Sequence, residues 1–324
     1  YGEIYAEEYL SRIQIVDDRK FNLFPMVLEQ NKQAKVVVHY SSLLNMSDCR
    51  YKKWLEHYFI EYTSANTQAA RLNGNFVRNV PIIKHEVTEL LPQVISKTVY
   101  IIAAGPSLDQ NIEQLRKISK EEIILATGTV LKKLCSIGII PDYVIIIDGG
   151  ASTFEQTKGI TMSDVPLLYL PTVYHKILAE YPGKRYVVCQ AGFEKSELYA
   201  SEHGYPLYQS GGSVTTTALD VMIRLQVSRV VFVGLDLAYT QNRSHAEDTA
   251  GVRDIQGNCM VCDIYGKMIP SAKNLEVYRN WIEKRIILPD AKNIEFIDAT
   301  EGGAMIRGTK VMKLEDIVKN VNEQ

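Results

Sequence analysis

The sequence predicts an α/β protein, a doubly wound and mostly parallel sheet preceded by a smaller helical or α+β lead-in. Three observations point that way. From residue 99 onward, short β-branched runs alternate with amphipathic segments, the pattern of parallel strands joined by crossover helices. Nearly every run is apolar throughout, as strands covered on both faces must be. Turns rich in glycine and hydroxyl residues follow the runs directly, at the strand ends where open sheets bind ligands.

The strand candidates are 99–103, 123–126, 143–147, 167–170, 185–189, 230–233 and 294–297. Between them, helical periodicity marks 111–119, 129–137, 173–180, 214–225 and 273–287. Before about residue 94 the character changes. A strand-like KVVVHY at 35–40 stands among helical stretches such as 48–62 and 65–80, with no regular alternation and no glycine turns. The expected division is a lead-in subdomain over 1–93 and a main domain over 94–324, without internal repeats or low-complexity segments.

With 324 residues, a net charge of −2 and 46 % hydrophobic residues, the chain is long enough for one large α/β domain or two smaller ones. Charges of both signs are mixed along its length, so the basic footprint of a nucleic-acid-binding protein is missing. No apolar run approaches the roughly 20 residues of a membrane span, and no charged-then-apolar leader opens the sequence. A cytoplasmic location is the expectation. The first residue is Tyr1 rather than Met, so the chain reads as a segment of something longer. Its five cysteines, Cys49, Cys135, Cys189, Cys259 and Cys262, are odd in number and irregularly spaced, which argues against a disulfide framework. Only CMVC at 259–262 looks like a motif. Without a second ligand pair to complete a tetrahedral zinc site, it reads as a chance pair in a loop.

The strand ends hold the chemistry. After the first comes Gly105-Pro106-Ser107-Leu108, with Ser107 and Gln110 spaced as an N-cap and its capping-box partner. Gly105 admits a close backbone approach, and a helix starting at Ser107 would present unpaired amides to an anion, most simply a phosphate. GxxxxGK[ST] and GxGxxG are both absent, which sets aside a P-loop and the dinucleotide fingerprint. Other strand ends carry Thr127-Gly128-Thr129, Asp148-Gly149-Gly150 and Gly234-Leu235-Asp236, and a glycine and hydroxyl cluster, SGGSVTTT at 210–217, precedes the Asp236 strand. Two aspartates on a rim with a phosphate turn point to a nucleotide whose sugar hydroxyls are held by carboxylates. The SGGSVTTT amides and hydroxyls would complete the cradle. His245 lies in a polar loop just past Asp236, where an imidazole can take a proton from a hydroxyl nucleophile near neutral pH. Tyr239 and Arg243 beside it can offset charge on a departing phosphate. The other five histidines, including His39 and His57, read as structural or merely exposed.

In this order, AGPSL, GTVLKKLCSIGIIPDYVIIID, GGSVTTTAL, VGLDLAYTQNRSHAED, the SAKNLEVYRNWIEKRI helix and ATEGGAMIRGT resemble the bacterial motility-associated factor (Maf) glycosyltransferases, over about residues 73–311. The resemblance implies the Rossmann-like, sialyltransferase-like form of the doubly wound sheet. It also implies transfer of a nonulosonic acid, of the pseudaminic or legionaminic kind, from a CMP-activated donor to Ser or Thr of flagellin. By the same likeness, Gly105, Pro106 and Ser107 would lie against the nucleotide phosphate or ribose, and Thr127, Gly128 and Thr129 would line the nucleoside with Gly212 and Ser213. Asp148 would join the nucleotide site, Asp236 would reach the ribose or base, and Tyr239 the phosphate. His245, Arg243 and the turn Thr300-Glu301-Gly302-Gly303 would face the sugar and acceptor. Two positions depart from the family pattern: Ala103 replaces a common glycine, and Gln241-Asn242 stand where small residues are frequent.

The expected reaction is therefore an inverting single displacement with His245 as general base. A donor with one phosphate does not oblige a metal, and the sequence holds no DxD. The same AGPSL domain is similar to an archaeal hydroxymethylpterin diphosphokinase family that uses ATP. Under that alternative Asp148 and Asp236 would be magnesium ligands; a non-catalytic nucleotide-binding module is the third reading.

Overall fold

The computed structural model describes residues 50–249 and 259–321, together with Leu43, Asn45, Met46 and Gly257. The strand-like 35–40 and His39 lie outside the described residues. The chain divides into two compact units, Tyr1–Tyr62 and Thr63–Gln324, and the sheet belongs wholly to the second.

All seven expected strands form, within a residue or two of their expected ends. They are β2 (Thr98–Ile102), β3 (Ile123–Thr127), β4 (Tyr143–Ile146), β5 (Leu167–Tyr169), β6 (Arg185–Val187), β7 (Arg229–Val233) and β10 (Glu295–Asp298). Two-residue edges, β1 (His85–Glu86) and β11 (Lys310–Val311), complete a nine-stranded sheet of order β1-β6-β5-β4-β3-β2-β7-β10-β11. Every pairing in it is parallel. The period of two then sorts the central strands between two layers. On β2, Val99 and Ile101 join one apolar cluster while Tyr100 and Ile102 join the other. Such strands read as continuous apolar runs because both of their faces are covered.

Among the described residues the helices are α1 (Arg50–Asn79), α2 (Leu91–Val94), α3 (Leu108–Asn111), α4 (Gly128–Ser136), α5 (His175–Glu180), α6 (Glu194–His203), α7 (Val214–Arg224), α8 (Lys273–Arg285) and α9 (Leu314–Val321). Ala218, Leu219 and Met222 of α7 pack on one face of the sheet, and Val130 and Leu134 of α4 with Leu314 and Val318 of α9 pack on the other. α1 is one continuous helix where two helical stretches were expected. Its last turns are tied to the sheet by buried amides: Asn75 donates to the carbonyls of Gly149 and Thr172, and Asn79 to those of Pro171 and Val173.

Two expectations need correction. The helix expected over 111–119 is a single α turn, Leu108–Asn111, running into a 3-10 segment, Ile112–Lys117. The CMVC pair is not in a loop. It forms β8 (Cys259–Cys262), antiparallel to β9 (Met268–Ser271), a hairpin separate from the main sheet.

Candidate functional site

β2 and β7 are neighbours, and from them the winding runs in opposite directions, toward β3–β6 on one side and β10–β11 on the other. That reversal is the place where an open α/β sheet leaves a crevice. At the carboxyl ends of these two strands lies a cavity of about 330 Å³. Ala103, Ala104 and Gly105 reach it after β2, and Gly234 to Tyr239 after β7. Thr127 and Thr129 come from the start of α4, Ser213, Val214 and Thr215 from the start of α7, and Ser244 and His245 from the loop beyond Tyr239.

The glycine turn holds a carboxylate belonging to the chain itself. The Ser107 N–H donates to both oxygens of Asp236, at 3.3 Å each, and the Ser107 hydroxyl donates to Oδ1 at 2.6 Å. The Thr240 hydroxyl donates to Oδ2. A Cβ on Gly105 would stand 2.0 Å from Asp236 Oδ1 and 2.5 Å from the Gly234 carbonyl, so only glycine fits there. Asp236 is 2 % exposed, and burial raises its pKa against the bonds from Ser107 and Thr240. The expected cap therefore does not form: Ser107 is itself helical (φ −66°, ψ −19°) and makes no side-chain cap bond. An N-cap needs extended backbone for its oxygen to reach the N2 and N3 amides; at helical φ/ψ the Ser107 hydroxyl is turned to Asp236 instead. Pro106 and Ser107 are buried and do not line the cavity.

Three helices of useful length begin at the cavity: α4, with nine residues, α7, with eleven, and α8, with thirteen. Each brings a positive dipole end and unpaired amides. α7 opens on a capping box in which the Ser213 hydroxyl accepts from Thr215 N–H and the Thr216 hydroxyl accepts from Ser213 N–H. The Thr216 and Thr217 hydroxyls also donate to the carbonyls of Ser210 and Ser213. Most of the hydroxyls of SGGSVTTT are thus engaged in building the helix start.

Gly211 and Gly212 have a different role from the one expected. A Cβ on Gly211 would lie 2.7 Å from Trp281 Cδ2, and one on Gly212 would lie 3.0 Å from Tyr278 Cε1. Both glycines have positive φ, +56° and +86°, so the pair is a close-packed seat for two rings of α8. Gly128 is likewise covered, by Gln156 and Ile146, and does not line the cavity.

His245 is half-buried, and its Nδ1 lies 3.1 Å from the Ser244 hydroxyl. Its loop is pinned on both sides. Ala246 N–H donates to the Ala104 carbonyl at 2.8 Å, while Asp109 accepts from Lys133 Nζ at 2.5 Å, from Arg243 Nη1 at 3.2 Å and from Glu247 N–H at 3.1 Å. Arg243 is consequently a strut of this loop, bonded to Asp109 and Glu247, rather than a cavity residue. Gln241 and Asn242 have φ of 55° and 59°, left-handed geometry that small residues adopt with least strain.

The remaining expected residues stand off the cavity. Thr300 is fully buried, and its hydroxyl accepts from Leu235 N–H. Glu301 accepts from Asn111 and from Leu314 N–H, which ties the turn to α3 and α9. Gly302 and Gly303 press on Ser107 and on the Asp236 backbone, where a Cβ would come within 2.9 and 2.3 Å. Asp148 is exposed and outside the lining; the pKa of Tyr278 is raised by burial, with the Asp148 charge adding to it. The sequence reading missed Asn274, Leu275 and Tyr278, which α8 delivers to the cavity. The spacing of four between Asn274 and Tyr278 was a signal that both share one helix face. Among the described residues, no group of three or more His, Cys, Asp or Glu is placed to hold a metal ion. No helix among them is long and apolar enough to cross a membrane.

Residues 74–242, just over half of the chain, match the family described as 6-hydroxymethylpterin diphosphokinase MptE-like. The match contains Gly105, Thr127, Asp236 and Tyr239 and ends before His245 and Tyr278. Among solved structures, the chain is similar to a Maf glycosyltransferase from Magnetospirillum magneticum AMB-1, with 19 % identity and a TM-score of 0.57. The similarity covers 71 % of this chain and 36 % of that one, so the chain spans little more than a third of that protein. At this identity the likeness is one of fold. No curated protein matches the sequence.

Proposed function

The chain belongs to the 6-hydroxymethylpterin diphosphokinase MptE-like family, and on that premise we propose that its cavity binds a nucleotide and that the protein is a glycosyltransferase. The donor in this reading is a CMP-activated nonulosonic acid of the pseudaminic, legionaminic or sialic type. The acceptor is a serine or threonine hydroxyl of flagellin or another protein. One observation carries it: the starts of α4 and α7 meet in one cavity with Thr127, Thr129, Ser213 and Thr215, and no Lys or Arg is among the lining residues. Helix N-termini and hydroxyls complement a single phosphate. A triphosphate with its metal calls for carboxylate ligands and basic side chains. The carboxylate nearest the cavity, Asp236, is committed to Ser107 and Thr240.

In the reaction, the acceptor oxygen bonds to the anomeric carbon as the bond from that carbon to the CMP phosphate breaks, with inversion at the carbon. The electron pair leaves with the phosphate. His245 receives the acceptor proton, and the helix ends offset the charge on CMP. Tyr239 adds a phenol kept protonated by burial, which raises its pKa.

The name of the family favours a second reading, ATP-dependent diphosphate transfer to a hydroxymethyl compound. Calorimetry with CMP, UMP, ADP and ATP, each with and without magnesium, separates the two. CMP binding best without metal supports the glycosyltransferase, and a preference for ATP with magnesium replaces it by the diphosphokinase. His245→Gln is expected to bind nucleotide normally and to abolish turnover. If that variant turns over like the wild type, His245 is not the base.

A further inference from the structure

We infer that Tyr278 is the stacking platform for the nucleobase in this cavity, an assignment that rests on the nucleotide reading above. Tyr278 lines the cavity from α8, one turn after Asn274. Its ring is braced: the Cε1 edge lies against Gly212, where even a methyl group would come within 3.0 Å, and Trp281, three residues on, seats against Gly211 in the same way. With that edge covered by Gly212, the ring face is the surface this side chain brings to the cavity. The ring is half-buried and, like Trp281 and Val214, packs against the core cluster on this face of the sheet.

The position suits a nucleotide. Gly212, against which the ring rests, immediately precedes Ser213 and the start of α7, one of the two helix starts that the reading above sets beside the phosphate. The ring thus stands beside the α7 end of the same cavity that the nucleotide reading uses. Aromatic stacking is tolerant of base identity, because every base has a π face. Tyr278 consequently supplies affinity for the base as such, while the selection among bases falls to polar groups around it.

The test compares wild type, Tyr278→Phe and Tyr278→Leu by calorimetry with CMP, with ATP and with ribose 5-phosphate, which has the sugar and phosphate but no base. Thermal unfolding of each variant verifies that it is folded. The Leu variant is expected to bind the preferred nucleotide about tenfold or more weakly, the Phe variant within about threefold of wild type, and all three to bind ribose 5-phosphate alike. The inference is overturned if the Leu variant binds the nucleotide as wild type does. It is equally overturned if nucleotide and ribose 5-phosphate weaken together, since the ring then only shapes the cavity. Wild-type protein that binds no nucleotide brings down the nucleotide reading itself, and this assignment with it.

Discussion

Ser107 and Asp236, 129 residues apart in the chain, are joined through both the backbone N–H and the hydroxyl of the serine, the latter at 2.6 Å. This pair closes the ends of β2 and β7 over the switch point. Gly105, Gly302 and Gly303 leave room for it, each at a spot where a Cβ would press on Asp236 or Ser107. The turn that looks like a phosphate cradle is a carboxylate cradle.

Gly105→Ala is accordingly expected to lose about 2 kcal/mol or more of unfolding free energy, because its Cβ would meet Asp236 and the Gly234 backbone, neither of which can yield. Denaturant titration measures this. A variant as stable as wild type would mean the turn is slack and the cradle account wrong.

Asp298 predicts a pH dependence. It is 1 % exposed; burial pushes its pKa up to about 6, with the Asp236 charge adding and the bonds from Thr300 opposing. Oδ1 accepts from Thr300 N–H, while Oδ2 has no partner among the described residues. In the unfolded chain the group titrates near 3.8, so between about pH 4 and 6 the native state binds the extra proton. Stability then falls as pH rises, by about 3 kcal/mol across that window. Glu86, Asp142 and Asp236 are raised by burial too and contribute with the same sign. The difference between wild type and Asp298→Asn isolates the one group. Parallel stability profiles for the two proteins over pH 4 to 6 would refute the assignment.

Asp109 secures the His245 loop through Lys133, Arg243 and the Glu247 N–H. Asp109→Ala should raise amide exchange across residues 243–247 by lowering the local opening energy by about 1.5–3 kcal/mol, the range for hydrogen bonds to a charged group. The core strands β2 and β7 should keep their protection. Unchanged exchange in the loop would show that the Ala246 bond to Ala104 suffices.

Cys259 and Cys262 lie three residues apart on an extended strand, about 10 Å between Cα atoms and on opposite faces. A disulfide needs less than about 7 Å. Mild oxidation followed by mass measurement should therefore yield no internal Cys259–Cys262 bridge in the folded protein. Finding one would contradict the hairpin.

The sheet was legible in the sequence because buried parallel strands are apolar on both faces, and runs such as VYII at 99–102 and VVFV at 230–233 have few other homes. The two-residue edges β1 and β11 were not legible, since two residues carry no periodicity. Of the site, the strand ends were readable: Gly105, Thr127, Thr129, Ser213, Asp236, Tyr239 and His245 all reach one cavity. Sequence by itself determined the fold class and the rim, through hydrophobic pattern and turn chemistry, which are local properties. Tertiary structure alone decided which groups face the cavity and which face each other. The bond between Ser107 and Asp236, the strut of Arg243 on Asp109 and the seat of Tyr278 on Gly212 each join residues more than 60 positions apart. A glycine beside a carboxylate and a glycine beside a phosphate are written the same way; only the packing of distant strands determines which acceptor arrives.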